Sequence, residues 1–202
     1  MPTASRAKHK FCRRIGQCLW GDPKCPSVKR PYAAGPHGKG KRSKLSTYGE
    51  LLLEKQKLRN YYAISEKQLR IAFFKAKAGL GQTHEKLFRS LEQRLDAMVY
   101  RAGFAPTIFA AKQLVNHGHV LVDGKRVDRA SCIVKEGQTF SINAEKSPAA
   151  AEAAKKNNNA APPAYLEVDL DNLKATLVRA PQIDEIPVQV KIMSVIEYYA
   201  RE

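Results

Sequence analysis

The sequence predicts an α+β protein: a basic N-terminal arm, a helical stretch, and a small module in which two helices feed a hairpin and a small sheet. Three observations point there. Leu87, Phe88, Leu91, Leu95, Met98, Val99 and Ala102 recur at three- and four-residue spacing, the period of a helix with one buried face. Asp123-Gly124 stands between the alternating residues of Val120 to Val127, the strongest short-range sign of a hairpin. The first 45 residues hold twelve basic residues against a single acid and show no apolar period at all.

In chain order, residues 1–46 are rich in Lys, Arg, Gly and Pro, as in Arg30-Pro31-Tyr32-Ala33-Ala34-Gly35-Pro36-His37-Gly38-Lys39-Gly40-Lys41-Arg42. Such a stretch buries no core alone and is expected to lie as an extended arm against something else. Thr47 with Glu50 reads as a capping box before a helix through Arg59, and Ser65 with Gln68 as a second before Leu69, Ala72, Phe73 and Ala76. Gly79 and Gly81 break the chain. The third helix follows Thr83 and ends near Arg101-Ala102-Gly103, within residues 94–146, the small module. Thr107 is the N-cap of the next helix and His117-Gly118 its C-terminal end. After the hairpin, Ile133-Val134 and Thr139-Phe140-Ser141-Ile142, joined across Glu136-Gly137, complete a small sheet. Residues 149–156 have a helical composition, but Asn157-Asn158-Asn159 and Pro162-Pro163 make 147–164 a flexible connection. The tail, 165–202, resumes order: Tyr165-Leu166-Glu167-Val168-Asp169 alternates, and residues 187–199 are β-rich, with Val188, Val190, Ile192 and Val195. No internal repeat is evident.

The 202 residues include 35 Lys+Arg and 19 Asp+Glu, for a net charge of +16. The excess is graded: eleven basic residues meet six acids in 46–101, six meet four in 102–146, and six meet eight in 147–202. A polyanion is the partner this fits, since each neutralised phosphate releases condensed counterions. No run approaches the ~20 apolar residues of a transmembrane helix, and no apolar segment follows the start, so neither a membrane nor secretion is expected. No homo-oligomer is expected either. The chain contains none of the GxGxxG, P-loop, HExxH or GxSxG patterns. Its five histidines, His9, His37, His84, His117 and His119, have no acid-plus-nucleophile arrangement near them. Asp169 and Asp171 read as a solvated strand end rather than a catalytic pair, so the chain is not expected to be an enzyme.

The candidate RNA-binding residues fall in three groups. In the arm they are Arg13, Arg14, Arg30, Lys39, Lys41, Arg42 and Lys44, with Tyr32, His37 and Tyr48 interleaved to stack on unpaired bases. In the first helix they are Lys55, Lys57 and Arg59. In the small module, Arg94 and Arg101 are seven apart on one expected helix and so share a face. Lys112, Gln113, Asn116 and His117 follow on the next helix, with His119, Lys125 and Arg126 around the hairpin. Together they can form one rim for a phosphate backbone. Separately, His9-x2-Cys12-x5-Cys18-x6-Cys25 crowds three thiols and an imidazole into one short stretch. Two readings stand: a closed Cys3His zinc site that folds an otherwise coreless arm, or free thiols packed in a short loop. Cys132 lies in an apolar run and reads as a small core residue.

Arg94-Leu95-Asp96-Ala97-Met98-Val99-Tyr100-Arg101-Ala102-Gly103-Phe104, continued by Ala111-Lys112-Gln113-Leu114-Val115-Asn116-His117-Gly118-His119-Val120, resembles the RNA-binding module named after small-subunit ribosomal protein S-four. That module also occurs in pseudouridine synthases and tyrosyl-tRNA synthetases. The flanks narrow the choice: Arg30-Pro31-Tyr32 with Gly35-Pro36-His37-Gly38, then Tyr48 and Glu54-Lys55-Gln56-Lys57-Leu58-Arg59, and the return at 165–169 all resemble the ribosomal protein family itself. The resemblance implies a helical domain built from 47–93 and 165–202 with the small module inserted. It further implies a primary rRNA-binding protein that nucleates assembly of the 5′ domain. Other implied roles are lining the path along which mRNA enters, contacting small-subunit protein S-five, influencing decoding accuracy and repressing its own translation. The implied location is the cytoplasmic ribosome, or an organelle matrix. Three departures stand out. Ile108 occupies a position where the family usually has Arg. The Cys12–Cys25 loop is shorter than in zinc-bearing members, with His9 and Cys18 not matching the usual four-cysteine pattern. The Ala/Asn/Pro segment is also unusual. An RNA-modifying enzyme would need a catalytic domain for which no motif appears. A zinc-containing transcription regulator would need a recognition helix reading a major groove.

Overall fold

Local side-chain caps set where three of the described helices begin. In the computed structural model, which describes residues 9–40, 44–144, 146–156 and 162–201, the chain is α+β, with helices and one antiparallel sheet. It divides into two units, Met1–Leu69 with Val188–Glu202, and Arg70–Pro187.

The first unit opens with two short helices, α1 (His9–Ile15) and α2 (Pro26–Lys29), so part of the expected extended arm is locally folded. The long helix α3 (Thr47–Tyr61) starts one residue earlier in register than the sequence suggested. Ser46, not Thr47, is the N-cap, its hydroxyl accepting from the Gly49 amide at 3.2 Å. Trp20 Nε1 donates to the Tyr61 carbonyl at 3.1 Å and ties the N-terminal segment to the end of α3. The expected capping box at Ser65 forms: the Gln68 amide donates to Ser65 Oγ at 3.2 Å and the Ser65 amide to Gln68 Oε1 at 3.3 Å. It starts α4 (Glu66–Ala78), inside which the boundary between the units falls.

Near the C-terminus the structure corrects the sequence reading. The β-rich stretch at 187–199 ends in a helix, labelled α9 below, over Ile192–Ala200. Val195, Tyr198 and Tyr199 recur at helical spacing and are buried where this helix packs on α3. That tertiary burial outweighs β-branched propensity. Lys191 N–H donates to Glu54 Oε2 at 2.9 Å, and Tyr199 O–H to Glu66 Oε1 at 2.9 Å.

In the second unit the single periodic helix expected through 83–101 is two helices, α5 (Thr83–Glu92) and α6 (Leu95–Arg101). Arg94 between them is extended (φ −64°, ψ 141°) and bridges to Ile133. Leu95 N–H donates to the Cys132 carbonyl at 2.8 Å, and Val134 N–H to that of Gln93 at 2.9 Å. Ile133-Val134 therefore supplies a bridge rather than the expected strand. Thr107 caps α7 (Ile108–Asn116) by accepting from the Ala110 amide at 3.1 Å.

The strands are β1 (Val120–Val122), β2 (Lys125–Val127), β3 (Thr139–Ile142), β4 (Leu166–Asp169) and β5 (Lys174–Leu177). Val122 pairs with Lys125, leaving Asp123 and Gly124 as a two-residue turn with φ of 48° and 77°. Positive φ at both positions is the turn that matches strand twist. The sheet order is β2-β1-β3-β5-β4. Residues 166–177 thus extend the sheet of the small module, where the resemblance had assigned them to the helical domain. Between β3 and β4, α8 (Pro148–Lys156) occupies half of the stretch expected to be a flexible connection. Ala151 and Ala154 join Leu95, Met98, Phe104, Val115, Phe140 and Tyr165 in one core, which orders the helix. Residues 157–161 lie outside the described residues. Among the described residues no helix is long and apolar enough to cross a membrane.

Candidate nucleic-acid interface

The arm is organised by Arg13. Its guanidinium donates to the carbonyls of Tyr32 at 3.1 Å and Ala33 at 3.2 Å, and sits 5.0 Å from the Tyr32 ring centroid. Lys39 approaches the same ring at 5.7 Å. Arg14, Arg30, His37, Lys39 and Lys44 are exposed, while Lys41 and Arg42 lie outside the described residues. Tyr48 is 57% exposed and stands 5.7 Å from Tyr198, ring to ring.

Beside this surface, one ligand atom each from His9, Cys12, Cys18 and Cys25 lies within 4.8 Å of the other three. His9 Nδ1 faces Cys25 Sγ at 3.1 Å, and His9 Nε2 faces Asp22 Oδ2 at 3.8 Å. A tetrahedral zinc with ~2.3 Å Zn–S bonds puts its ligands about 3.8 Å apart, inside the span found. Burial pushes the Cys12 thiol up to about 12, against a hydrogen bond from the Leu19 backbone, and burial also raises Cys18. Burial would raise Cys25 too, but hydrogen bonds from the Ser27 side chain and backbone outweigh it and lower that thiol. Asp22 is the one acid among the first 45 residues, and its place beside the His9 ring is set by the fold, with only its isolation among cations to signal it in the sequence.

In the small module, Gly118 brings the polar rim together. Its φ is +70°, and the Arg126 guanidinium lies against its backbone so closely that an added Cβ would fall 2.1 Å from Nε. The rings of His117 and His119, its neighbours in the chain, stand 5.9 Å apart. Gln113, Asn116, His117, Lys125 and Arg126 are exposed, and His119 is half-buried. Lys112 is also half-buried; burial lowers its ammonium, with the Asp96 carboxylate opposing the shift and Arg94 adding to it.

Other cations from the sequence turn inward. Arg94 is 6% exposed, its Nε and Nη2 donating to both oxygens of Asp96 at 3.0 and 2.8 Å. Arg101 pairs with the fully buried Glu92, which also accepts from the Tyr165 hydroxyl at 2.9 Å. Arg94 and Arg101 therefore do not form a shared face. Lys55 is 4% exposed, bonded to Glu66 at 2.8 Å and 4.3 Å from the Tyr198 ring. Lys57 pairs with Glu54, and Arg59 lies 4.0 Å from Glu66. Ile108 is 2% exposed, a core position. No local pattern distinguishes these cations from surface ones, since their partners lie up to eleven residues away.

Exposed cations on the arm, and others around the hairpin, are the equipment of an RNA-binding protein, and an S4 domain gives its class. Residues 93–140 match the S4 domain, and residues 4–92 match the ribosomal protein S4/S9 N-terminal domain. The chain is 48% identical to small ribosomal subunit protein uS4 of Bifidobacterium adolescentis, over 98% of this chain and 97% of that one. It is 45% identical to the protein of that name from a Ruegeria species and 46% to that of Paracoccus denitrificans, each over all of both chains. The chain belongs to the small ribosomal subunit protein uS4 family. It is therefore a structural, non-enzymatic ribosomal protein of the small subunit that binds rRNA and works in translation beside other ribosomal proteins. These relatives are bacterial ribosomal components, which implies the cytoplasmic ribosome; the organelle alternative is not borne out.

Proposed function

We propose that the protein is a primary binder of the 5′ domain of small-subunit rRNA that nucleates assembly there. In the same reading it lines the path along which mRNA enters, contacts protein S-five and contributes to decoding accuracy. The observation that carries this is the rim at Gly118, where the Arg126 guanidinium lies against the glycine backbone, with His117 and His119 flanking that glycine in the chain and Lys125 preceding the arginine. A guanidinium with neighbouring imidazoles suits phosphate contacts, which position an RNA without reading its sequence. In a reconstitution of the small subunit, the protein should bind 5′-domain rRNA before other proteins are present, and its omission should slow protection of that domain. Binding that requires prior addition of the other proteins would refute primary binding.

His9, Cys12, Cys18 and Cys25 would hold a structural zinc ion. Three thiolates and an imidazole match zinc's preferred donors, and the closed set leaves no open position for substrate. Bound there, zinc would supply a crosslink between α1, the loop and α2. Asp22 would orient the His9 ring through Nε2, leaving Nδ1 towards the thiols.

A further inference from the structure

Helix α4 has two faces of different kinds. Leu69, Phe73 and Ala76 are buried at helical spacing. The other face exposes Ile71 (46%) and Phe74 (47%), and just past the helix Leu80 is fully exposed. Arg70, Lys75 and Lys77 are exposed around them. The Arg70 guanidinium carbon lies 5.6 Å from the centroid of the Phe74 ring. None of these three cations enters a salt bridge among the described residues, and no acid occurs between Lys67 and His84.

We infer that this face is a second RNA-contact surface, separate from the arm and the Gly118 rim, on which Phe74 and Arg70 stack an unpaired base. Lys75 and Lys77 take the flanking phosphates. This rests on the rRNA-binding reading above and deepens it. Chemistry selects the occupant. Cations at a helix C-terminus complement the macrodipole, which accounts for Lys75 and Lys77 but not for a half-exposed phenyl ring under a guanidinium. A protein partner's footprint is depleted in Lys at its core, whereas here apolar groups alternate with cations and no carboxylate intervenes. Aromatic rings beside Arg planes are the platforms on which unpaired bases stack, and stacking tolerates any base because each has a π-face.

The test uses the full-length protein and in vitro transcribed 5′-domain rRNA, with unfolding midpoints confirming that each variant is folded. Phe74→Ala should weaken binding about ten-fold, the size of one lost base stack, with the salt dependence unchanged. Phe74→Trp should retain affinity, and its emission, corrected for Trp20, should be quenched by the RNA. Lys75→Gln/Lys77→Gln should lower the slope of log affinity against log salt by about 1.4–1.8, two phosphate contacts. Tight wild-type binding with all three variants indistinguishable from it overturns this surface and leaves the primary-binding reading intact. Loss of another ribosomal protein from reconstituted particles carrying Phe74→Ala, with rRNA affinity unchanged, would make the face a protein contact and overturn the inference. Failure of the wild-type protein to bind the rRNA overturns both readings.

Discussion

Gly118 adopts φ +70°, and Arg126 occupies the space a side chain there would need. Alanine at this position faces two costs. The left-handed backbone costs about 1–2 kcal/mol for a residue with a Cβ, and the methyl group displaces the guanidinium from its place against the Gly118 backbone. Gly118→Ala should therefore lower both stability and rRNA affinity, while Arg126→Ala lowers affinity alone. In a double-mutant cycle their affinity losses should be markedly less than additive, because both remove the same placed cation. Additive losses would mean that the glycine serves only the turn. At Cys12, a fully buried member of the cluster, the test is elemental analysis. Purified protein should carry about one zinc ion per chain and Cys12→Ser far less, since a closed site fails when one of its four ligands is lost. A mere trace of zinc in the wild-type protein would remove the metal from the account.

Among the elements, the hairpin and the N-cap of α7 were legible because their chemistry is local: Asp123-Gly124 fits a two-residue turn, and Thr107 reaches the Ala110 amide three residues on. Elements set by distant partners were not legible. The break between α5 and α6 interrupts an unbroken helical period, because Arg94 pairs with Ile133, 39 positions along the chain. Tyr165-Leu166-Glu167-Val168-Asp169 was readable as a strand, but nothing in it announced β5, and through β5 the sheet of β3, as its partner. The candidate site divides the same way. The His117–Arg126 rim was readable from turn glycines and clustered charge, but the inward turn of Arg94, Lys55 and Arg101 depends on Asp96, Glu66 and Glu92. The Glu92 group joins α5, α6 and the start of β4, and its two contacts differ in weight. Tyr165→Phe removes one hydrogen bond to a charged acceptor, about 1.5–3 kcal/mol. Glu92→Gln leaves the Arg101 charge buried without its carboxylate, about 3–5 kcal/mol. Urea unfolding should rank Glu92→Gln as the more damaging; the reverse order would place the strength of the joint in the tyrosine.

Over the whole molecule, charge decides how binding responds to conditions. The net +16 is concentrated in the first 45 residues and gives way to a slight acidic excess after residue 147. Some of the remaining cations are already neutralised inside the fold, as Arg94, Arg101 and Lys55 are, so they release no counterions on binding. Phosphate contacts should come instead from exposed groups such as Arg14, Arg30, Lys39, Lys44, Lys125 and Arg126. Each such contact contributes roughly 0.7–0.9 to the slope of log affinity against log salt. Affinity for 5′-domain rRNA should accordingly fall steeply with salt, and removal of residues 1–45 should flatten that fall by several units. Removal of 147–164 has a different character: it takes out α8 and the Ala151 and Ala154 contacts of the core, so its effect should be on stability, with the salt slope nearly unchanged. Filter binding of both truncations across a salt series separates the two effects. A slope that follows the loss of 147–164 rather than that of the arm would assign the phosphate contacts to 147–164 instead of to the arm.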